Sequence, residues 1–251
     1  MIILAPKLFY PTDLTNGQWE LVADLFRRKC GPGRPTTVDL RQALNAIIYL
    51  VRTGCQWRMI PKQYPPWTTV RYYYDKWTDN GTWQQLNRLL RQVCRVSASR
   101  QAEPSLGLID SQSVKTTEVG GIKGFDGGKL VKGRKRQILT DSLGNLLGAI
   151  VHAGNESDQE GGGDLCDSCL PDLSTLEKIL ADQGYRGDTL RLELAEYGII
   201  LEIVERPEGQ KGFVVQKFRW VVERTLAWLD RNRRLAKDYE KPVLDGTIVR
   251  E

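Results

Sequence analysis

The chain has 251 residues, a length that suits one large domain or two smaller ones. Its residues are 41% hydrophobic and 27% charged, which predicts a packed core and argues against global disorder, and no apolar run approaches the ~20 residues of a membrane helix. The net charge of +5 is a mild excess, so the distribution of the basic residues matters more than their total.

The N-terminus, MIILAPKLFYP, is apolar over a short stretch only. It has neither a preceding basic region nor a convincing cleavage site, so it does not resemble a signal peptide and we expect a cytoplasmic protein. Beyond it, Asp13 or Thr15 can cap a first helix. Thr37 or Asp39 can cap a second helix, which Gly54 ends.

Two further helices are predicted before residue 100. Thr68 can cap one over about 70–77, and Gly81-Thr82 separates it from another over about 83–96. Short helices with tight turns are typical of helix-turn-helix DNA-binding modules, but a helical bundle without a ligand fits the spacing equally well. The polar stretch 97–104 then predicts a boundary between a helical DNA-binding domain over 1–100 and a second domain over 101–251.

The second domain is predicted to be of the α/β class, because strands come first and then alternate with helices around a mixed sheet. Strands are predicted at 106–110, on both sides of a Gly144-Asn145 turn within 137–152, at 176–181 and at 199–204. Helices are predicted at 190–196 and 219–229.

The five cysteines are odd in number and scattered, which argues against a disulfide framework. Cys166 and Cys169 form a lone CxxC pair, and with His152 as the single histidine a second pair of zinc ligands is missing. We interpret the thiols as reduced and incidental. A structural role of His152, which follows a predicted strand, is favoured over a catalytic one.

Two aspartates follow predicted buried strands, Asp110 after Leu108-Ile109 and Asp182 after Leu180-Ala181. Acids at strand ends face the edge of a sheet where α/β proteins bind ligands, and two neighbouring carboxylates repel unless a cation neutralises them. Magnesium suits such a pair. Glu223, on the last predicted helix, would complete a two-metal site for phosphoryl transfer, although a single acid of this kind is more often structural.

Basic residues are concentrated in two segments. The first is rich in glycine and predicts a flexible cationic loop that neutralises a DNA backbone, with a solvated charged loop as the alternative. The second would form a basic stripe on a helix near Glu223. The first segment contains Lys115, Lys123, Lys129, Lys132, Arg134, Lys135 and Arg136; the second contains Arg224, Arg231, Arg233, Arg234 and Lys237.

Five stretches in this order resemble bacterial insertion-sequence transposases of the DDE type, within the group called family five. They are Arg52-Thr-Gly-Cys-Gln-Trp-Arg58 with Pro65-Pro-Trp-Thr68, Ile109-Asp-Ser-Gln-Ser-Val-Lys115, Val131-Lys-Gly-Arg-Lys-Arg136, Ala181-Asp-Gln-Gly-Tyr-Arg-Gly187, and Trp220-Val-Val-Glu-Arg-Thr225 continuing to Asn232-Arg-Arg-Leu-Ala-Lys-Asp-Tyr-Glu240. The resemblance runs from about residue 13 to residue 240, and these stretches lie between Arg52 and Glu240.

The resemblance implies a helical N-terminal DNA-binding domain and a ribonuclease H-like catalytic domain. It implies that Asp110, Asp182 and Glu223 hold two divalent ions, Mg²⁺ or Mn²⁺, with Arg219 as a companion. It further implies DNA cleavage at the ends of an insertion sequence and strand transfer into target DNA. The partners would be terminal inverted repeats and target DNA, with no membrane, and the protein would form a homodimer or larger assembly on the DNA.

The resemblance is incomplete at three places. Gln216 stands where such proteins often have a tyrosine, and Asp230 where a lysine often follows the glutamate. The segment 241–251 is not helical in pattern, where an apolar helix usually continues. An inactive or truncated remnant that only binds DNA therefore remains an alternative, as does a repair-type nuclease on the same fold.

Overall fold

The structure is a computed structural model, and it describes residues 8–27, 37–118, 121–204 and 218–239. The predictions about Gln216 and the segment 241–251 lie outside these residues. The described chain forms two compact units. One comprises the residues up to Leu89 together with Arg231–Leu235, and the other comprises Leu90–Asp230 and the residues from Ala236 onward.

Four helices account for most of the first hundred residues, as predicted: α1 (Asn16–Phe26), α2 (Leu40–Thr53), α3 (Trp67–Asp79) and α4 (Thr82–Ser97). Thr15 and Asp39 cap α1 and α2 by accepting backbone N–H bonds, and Gly54, with φ of 70°, ends α2. The predicted cap of α3 is wrong, because the helix begins one residue before Thr68 and its N-cap is Pro66.

The first unit has an aromatic core, in which Phe26 packs against Trp77 and Trp83. Between α2 and α3 the chain forms a loop rich in proline and tryptophan, as the sequence predicts, and this loop contains a 3-10 turn, Trp57–Met59. The segment Arg231–Leu235 belongs to this unit, since the backbone N–H of Arg234 donates to the carbonyl of Val51.

The second unit is built on a mixed sheet, as predicted. Its strands are β1 (Leu106–Lys115), β2 (Gly124–Asp126), β3 (Val131–Asp141), β4 (Leu146–Ala153), β5 (Lys178–Ala181) and β6 (Ile200–Ile203). β3 pairs antiparallel with β1, β2 and β4, whereas β5 lies between β1 and β6 and runs parallel to both.

Helices cover the two faces of this sheet. Ile109 and Leu139 point into a core that includes residues of α5 (Asp158–Cys169) and α6 (Asp188–Glu196). Leu108 and Ile138, their neighbours along each strand, pack instead against α7 (Arg219–Asp230). This alternation follows from the two-residue period of a strand, and it places successive polar residues of β1 on opposite faces.

Three predictions about the second unit are wrong. β1 continues to Lys115, so Asp110 lies inside the strand and not at its end. β3 begins at Val131, so four of the seven basic residues of the predicted loop lie in this strand. The helix α5 was not predicted at all, because Gly161, Gly162 and Gly163 lower its helix propensity, although Ser157 and Glu160 form a capping box. No helix in the described part of the chain is long and apolar enough to cross a bilayer.

Candidate active site

Two predicted acids meet at one edge of the sheet. The parallel strands β1 and β5 pair Leu106 with Lys178 and Leu108 with Leu180. The same register continued by two residues aligns Asp110 with Asp182, which directly follows β5 and begins a turn in which its carboxylate accepts the N–H of Gly184. The parallel pairing thus places Asp182, at the carboxyl end of β5, beside Asp110 in the middle of β1.

Their proximity has an electrostatic consequence. Burial raises the pKa of Asp110 to about 6, and the neighbouring Asp182 carboxylate adds to the rise. The backbone N–H of Ser111, which lies 2.7 Å from Asp110 Oδ1, and the cations of Lys129 and Arg219 oppose it. A desolvated carboxylate beside a second one is a pair that a further cation would stabilise.

The third predicted acid, Glu223, lies in the first half of α7. Arg219, on the same helix, contacts both Glu223 and Asp182. Arg219 Nε lies 2.9 Å from Glu223 Oε1, and Arg219 Nη2 lies 3.4 Å from Asp182 Oδ2. The guanidinium therefore lies between two of the predicted metal ligands. Asp110, Asp182 and Arg219 line one pocket, whose apolar wall includes Leu108 and Val222.

In this arrangement the described residues contain no group of three His, Cys, Asp or Glu side chains spaced to hold one metal ion. The donor set nevertheless suits a hard divalent cation, because it consists of carboxylate oxygens around a desolvated acid. Glu223 is about half exposed, and Arg219 links it to Asp182. The assignment of the three acids as metal ligands stays a prediction.

The basic residues of the predicted loop differ in burial: some are buried and others are exposed. Arg134, Lys135 and Arg136 are buried in β3. Arg134 Nη1 lies 2.7 Å from Asp238 Oδ2, and Lys135 Nζ lies 3.1 Å from Asp158 Oδ1. In this conformation burial shields these three side chains from a large polyanion, and their contact with a DNA backbone stays a prediction.

The other basic residues on the same strands are open to solvent. Lys115 ends β1, Lys132 lies near the start of β3 and Lys129 lies between β2 and β3, and all three are exposed. Lys123, before β2, is exposed as well, so these four lysines are the members of the predicted loop that are open to a DNA backbone.

The predicted basic stripe on the last helix is wrong in part, because α7 ends at Asp230 and Arg231 lies beyond it, exposed. Arg224 does lie on α7. Its guanidinium is 4.8 Å from the ring centre of Trp220 and 4.6 Å from that of Trp228, and it donates to the carbonyl of Leu143. Arg224 is thereby engaged within its own unit.

A polar network that sequence reasoning missed lies on the opposite face of the sheet. Asp158, at the start of α5, accepts from Gln137 and pairs with Lys135. Burial opposes its charge, but hydrogen bonds from Ser111 and Lys135 hold the pKa of Asp158 below its usual value. Tyr185 donates to Gln137, and burial raises the pKa of its hydroxyl well above the usual range. The capping box before α5 was the one available signal for this network.

The remaining candidates, His152 and the two cysteines of the CxxC pair, are buried. His152 is buried and its Nδ1 lies 3.2 Å from Glu156 Oε2. Cys166 and Cys169 are buried in the core, and burial raises the pKa of the Cys169 thiol to about 12. The neutral thiol is therefore the favoured form of both residues at neutral pH, which disfavours a role as nucleophile.

Comparisons with known proteins find transposases over both parts of the chain. A family model described as "Putative transposase of IS4/5 family" matches residues 14–87, and one described as "Transposase DDE domain" matches residues 101–244. The chain is 35% identical over 116 residues to a Burkholderia cepacia protein named "Putative transposase for insertion sequence element IS402", covering 43% of this chain and 54% of that protein.

A second relative from Burkholderia cepacia, the "Insertion element IS402 uncharacterized 16.2 kDa protein", is 29% identical over 113 residues. That match covers 41% of this chain and 72% of the relative. The chain thus spans about half the length of the first relative and most of the second.

Proposed function

Because the chain belongs to the DDE transposases of the IS4/5 type, with a ribonuclease H-like α/β domain, we propose that it cuts DNA at the ends of an insertion sequence and joins those ends to target DNA. The observation that carries this proposal is the alignment of Asp110 with Asp182 across β1 and β5, with Arg219 joining Asp182 to Glu223.

Asp110, Asp182 and Glu223 are the side chains that would hold divalent metal. Bound Mg²⁺ or Mn²⁺, in a pair, would supply Lewis acidity to the attacking oxygen and to the leaving oxygen of an in-line displacement. Carboxylates are suited to this task because hard divalent cations prefer oxygen ligands and leave room for phosphate oxygens. The cavity wall formed by Leu108 and Val222 excludes water from one side of Asp110 and so strengthens its attraction for a cation.

Arg219 acts first as a clamp on the carboxylates. Its guanidinium neutralises Asp182 and Glu223 and lowers the pKa of Asp110, so it keeps three like charges together before any other cation arrives. A guanidinium also binds phosphate through paired N–H donors. Arg219 is therefore placed to exchange its carboxylate partners for a DNA phosphate.

DNA is the proposed partner, with terminal inverted repeats and target DNA as the two substrates, and the protein would act on it in the cytoplasm at the nucleoid. Exposed Lys115, Lys132 and Arg231 supply positive charge for backbone phosphates. Two DNA ends must be held for one joining reaction, and so we propose a homodimer or larger assembly on DNA. A protein that only binds DNA would not need the carboxylates to converge, so this alternative is not favoured.

The test is cleavage of a plasmid that carries the DNA flanking the coding region, with Mg²⁺ present. Wild-type protein should cut it, and Asp110→Asn should abolish cutting while DNA binding in a gel-shift assay stays largely intact. A joining assay with added target DNA separates a transposase from a repair-type nuclease, which would cut without joining. Undiminished cutting by Asp110→Asn contradicts the proposed site.

A further inference from the structure

The turn between β2 and β3 directs one lysine back toward the acids. Lys129 Nζ lies 2.8 Å from the carbonyl oxygen of Ser111 and 3.0 Å from its hydroxyl, directly after Asp110 in the chain. An ammonium has three N–H donors, and these two bonds are the only ones it makes within the described part of the chain. One donor is left for a ligand.

A buried aspartate fixes this turn. One carboxylate oxygen of Asp126 accepts the backbone N–H groups of Gly128 and Lys129, at 2.9 and 3.0 Å, and the other accepts the hydroxyl of Ser113 on β1. Although burial opposes its charge, the hydrogen bonds from Ser113 and Lys129 hold the pKa of Asp126 below its usual value. Asp126 thus stays ionised at neutral pH and keeps the turn closed.

The residue after Lys129 has a strained backbone conformation, and it lies in the same turn that Asp126 holds. Leu130 has φ of 54°, in the left-handed region that a branched side chain rarely adopts, and its side chain is 75% exposed. Burial therefore does not account for this conformation. Strained residues persist where the surrounding structure imposes them, and they are concentrated at functional sites. Here the strain reverses the chain between Asp126 and Val131, which are paired across β2 and β3.

Lys129 and Arg219 face Asp110 from different elements, the hairpin turn and α7, and each favours the ionised form of that acid. Arg219 already has two carboxylate partners, whereas Lys129 contacts only neutral oxygens of Ser111 by hydrogen bond. The ammonium of Lys129 also helps to lower the pKa of Asp158, so it lies near two carboxylates while its hydrogen bonds go to Ser111. A phosphate held at the acids would find this ammonium on the side away from α7.

We propose that Lys129 is a catalytic residue, whose ammonium binds a non-bridging oxygen of the phosphate under attack, and that Asp126 is the positioning residue that aims it. This inference rests on the proposed function. During hydrolysis a water oxygen bonds to phosphorus, the bond from phosphorus to the 3′ oxygen breaks, and the proton of the water passes to solvent while the 3′ oxygen gains one. Negative charge on the non-bridging oxygens is what a preorganised ammonium stabilises.

The test compares single-turnover cutting of the flanking-DNA plasmid in Mg²⁺ with binding of the same DNA without Mg²⁺. Lys129→Gln should slow cutting by about 10²–10³-fold, as for loss of one oxyanion donor, and change DNA affinity by no more than about threefold. Lys129→Arg, which keeps the charge, should recover most of the rate. Lys178→Gln, a charge-matched control on β5 paired with Glu202, should cut at the wild-type rate.

Asp126→Asn keeps Lys129 in the chain but weakens the hydrogen bonds that hold its turn. We expect it to slow cutting by about tenfold, because the ammonium is then less well positioned. Equal rates for wild-type protein and Lys129→Gln would overturn the inference and leave the proposed function standing, and so would a loss that appears only in DNA affinity. If neither Lys129→Gln nor Lys129→Met folds, the lysine is structural and the inference is overturned. Failure of the wild-type protein to cut would remove the proposed function and this inference together.

Discussion

Asp110 and Asp182 each lie two residues beyond the Leu108–Leu180 pair of the parallel strands β1 and β5. Parallel strands in register repeat the same side-chain direction, so the two carboxylates point to the same face of the sheet. Burial and Asp182 together raise the pKa of Asp110 to about 6. The fold thus maintains an acid pair that is unfavourable until a cation compensates it.

Replacing the buried acid should stabilise the metal-free protein. The pKa of Asp110 is about 6 in the folded state and about 3.9 when unfolded, so between these values the folded protein holds a proton that unfolding releases. Stability from this group therefore rises as pH falls from about 6 to about 4, and at pH 7 the charged form is a cost. Asp110→Asn should raise the free energy of unfolding at pH 7 by on the order of 1–3 kcal/mol.

Urea unfolding at pH 7 and pH 5, with a chelator present, measures this effect. The gain should shrink at pH 5, where wild-type Asp110 is largely protonated. Asp24→Asn, in a side chain that is 93% exposed, is the control and should change stability by less than about 0.5 kcal/mol. A less stable Asp110→Asn protein at pH 7 contradicts the electrostatic account of the site.

Metal affinity should depend on pH for the same reason. Below pH 6 a divalent cation must displace the proton of Asp110, so the affinity for Mg²⁺ or Mn²⁺ should fall about tenfold for each pH unit. Calorimetric titration with Mn²⁺ in buffers of different ionisation enthalpy measures both the affinity and the released proton. Equal affinity at pH 7 and pH 5 would show that Asp110 does not bind the ion.

Arg219 should compete with metal for the carboxylates. Its guanidinium contacts Asp182 and Glu223, so Arg219→Gln removes the charge that holds the acids together. The metal-free variant should lose little stability, about 1 kcal/mol or less, because the pairs are partly exposed. Added Mg²⁺ should then raise its melting temperature by more than it raises that of the wild-type protein. An equal or smaller rise excludes competition, and Arg191→Gln, at an exposed pair with Asp188, provides the reference.

The parts of the fold that the sequence predicts are those where a local pattern decides the structure. Thr15 and Asp39 cap helices and Gly54 ends one, because their side chains or backbone freedom act within one turn. The turn at Gly144 is likewise local, with φ of 86°. These elements were predicted to within a few residues.

The errors occur where distant residues decide. Arg134 and Lys135 look like loop residues in a row of charges and glycines, but Asp238 and Asp158 compensate them and allow the strand to bury them. The partner of Arg134 lies 104 residues away, which no local pattern reveals. Pairing and burial of charge are properties of the folded chain, and this is why the basic residues that DNA can reach could not be separated by sequence from the structural ones.

Buried and exposed cations of β3 should therefore respond differently to neutralisation. Arg134→Met removes the guanidinium that pairs with the buried Asp238 carboxylate and should cost about 3–5 kcal/mol of stability. Lys132 lies two positions earlier and is exposed, so Lys132→Gln should change stability by less than about 0.5 kcal/mol. It should weaken DNA binding and lower the slope of log affinity against log salt concentration by about the value of one phosphate contact. Thermal unfolding and DNA binding at several salt concentrations distinguish the two. A stable Arg134→Met protein with weakened DNA binding would support the original prediction for this residue.

Two helical glycines offer a test of the polar network behind the acids. A Cβ at Gly161 in α5 would collide with Nε2 of His152 and come within 2.9 Å of Nε2 of Gln137, which also donates to Asp158. Gly161→Ala should therefore destabilise the protein by about 1–3 kcal/mol, even though alanine favours a helix. Gly17→Ala in α1 meets nothing within 4 Å and should stabilise it by up to about 1 kcal/mol.

The same two variants distinguish an effect on the stability of the protein from an effect on the position of Asp182. If Gln137 and Asp158 support the turn that carries Asp182, then Gly161→Ala should slow DNA cutting even at a temperature where it remains folded, because Gly184 in that turn lies against the Asp158 carboxylate. Gly17→Ala should cut at the wild-type rate. The measurement is single-turnover cutting well below both melting temperatures. A destabilised Gly161→Ala protein that cuts normally would confine the network to a structural role.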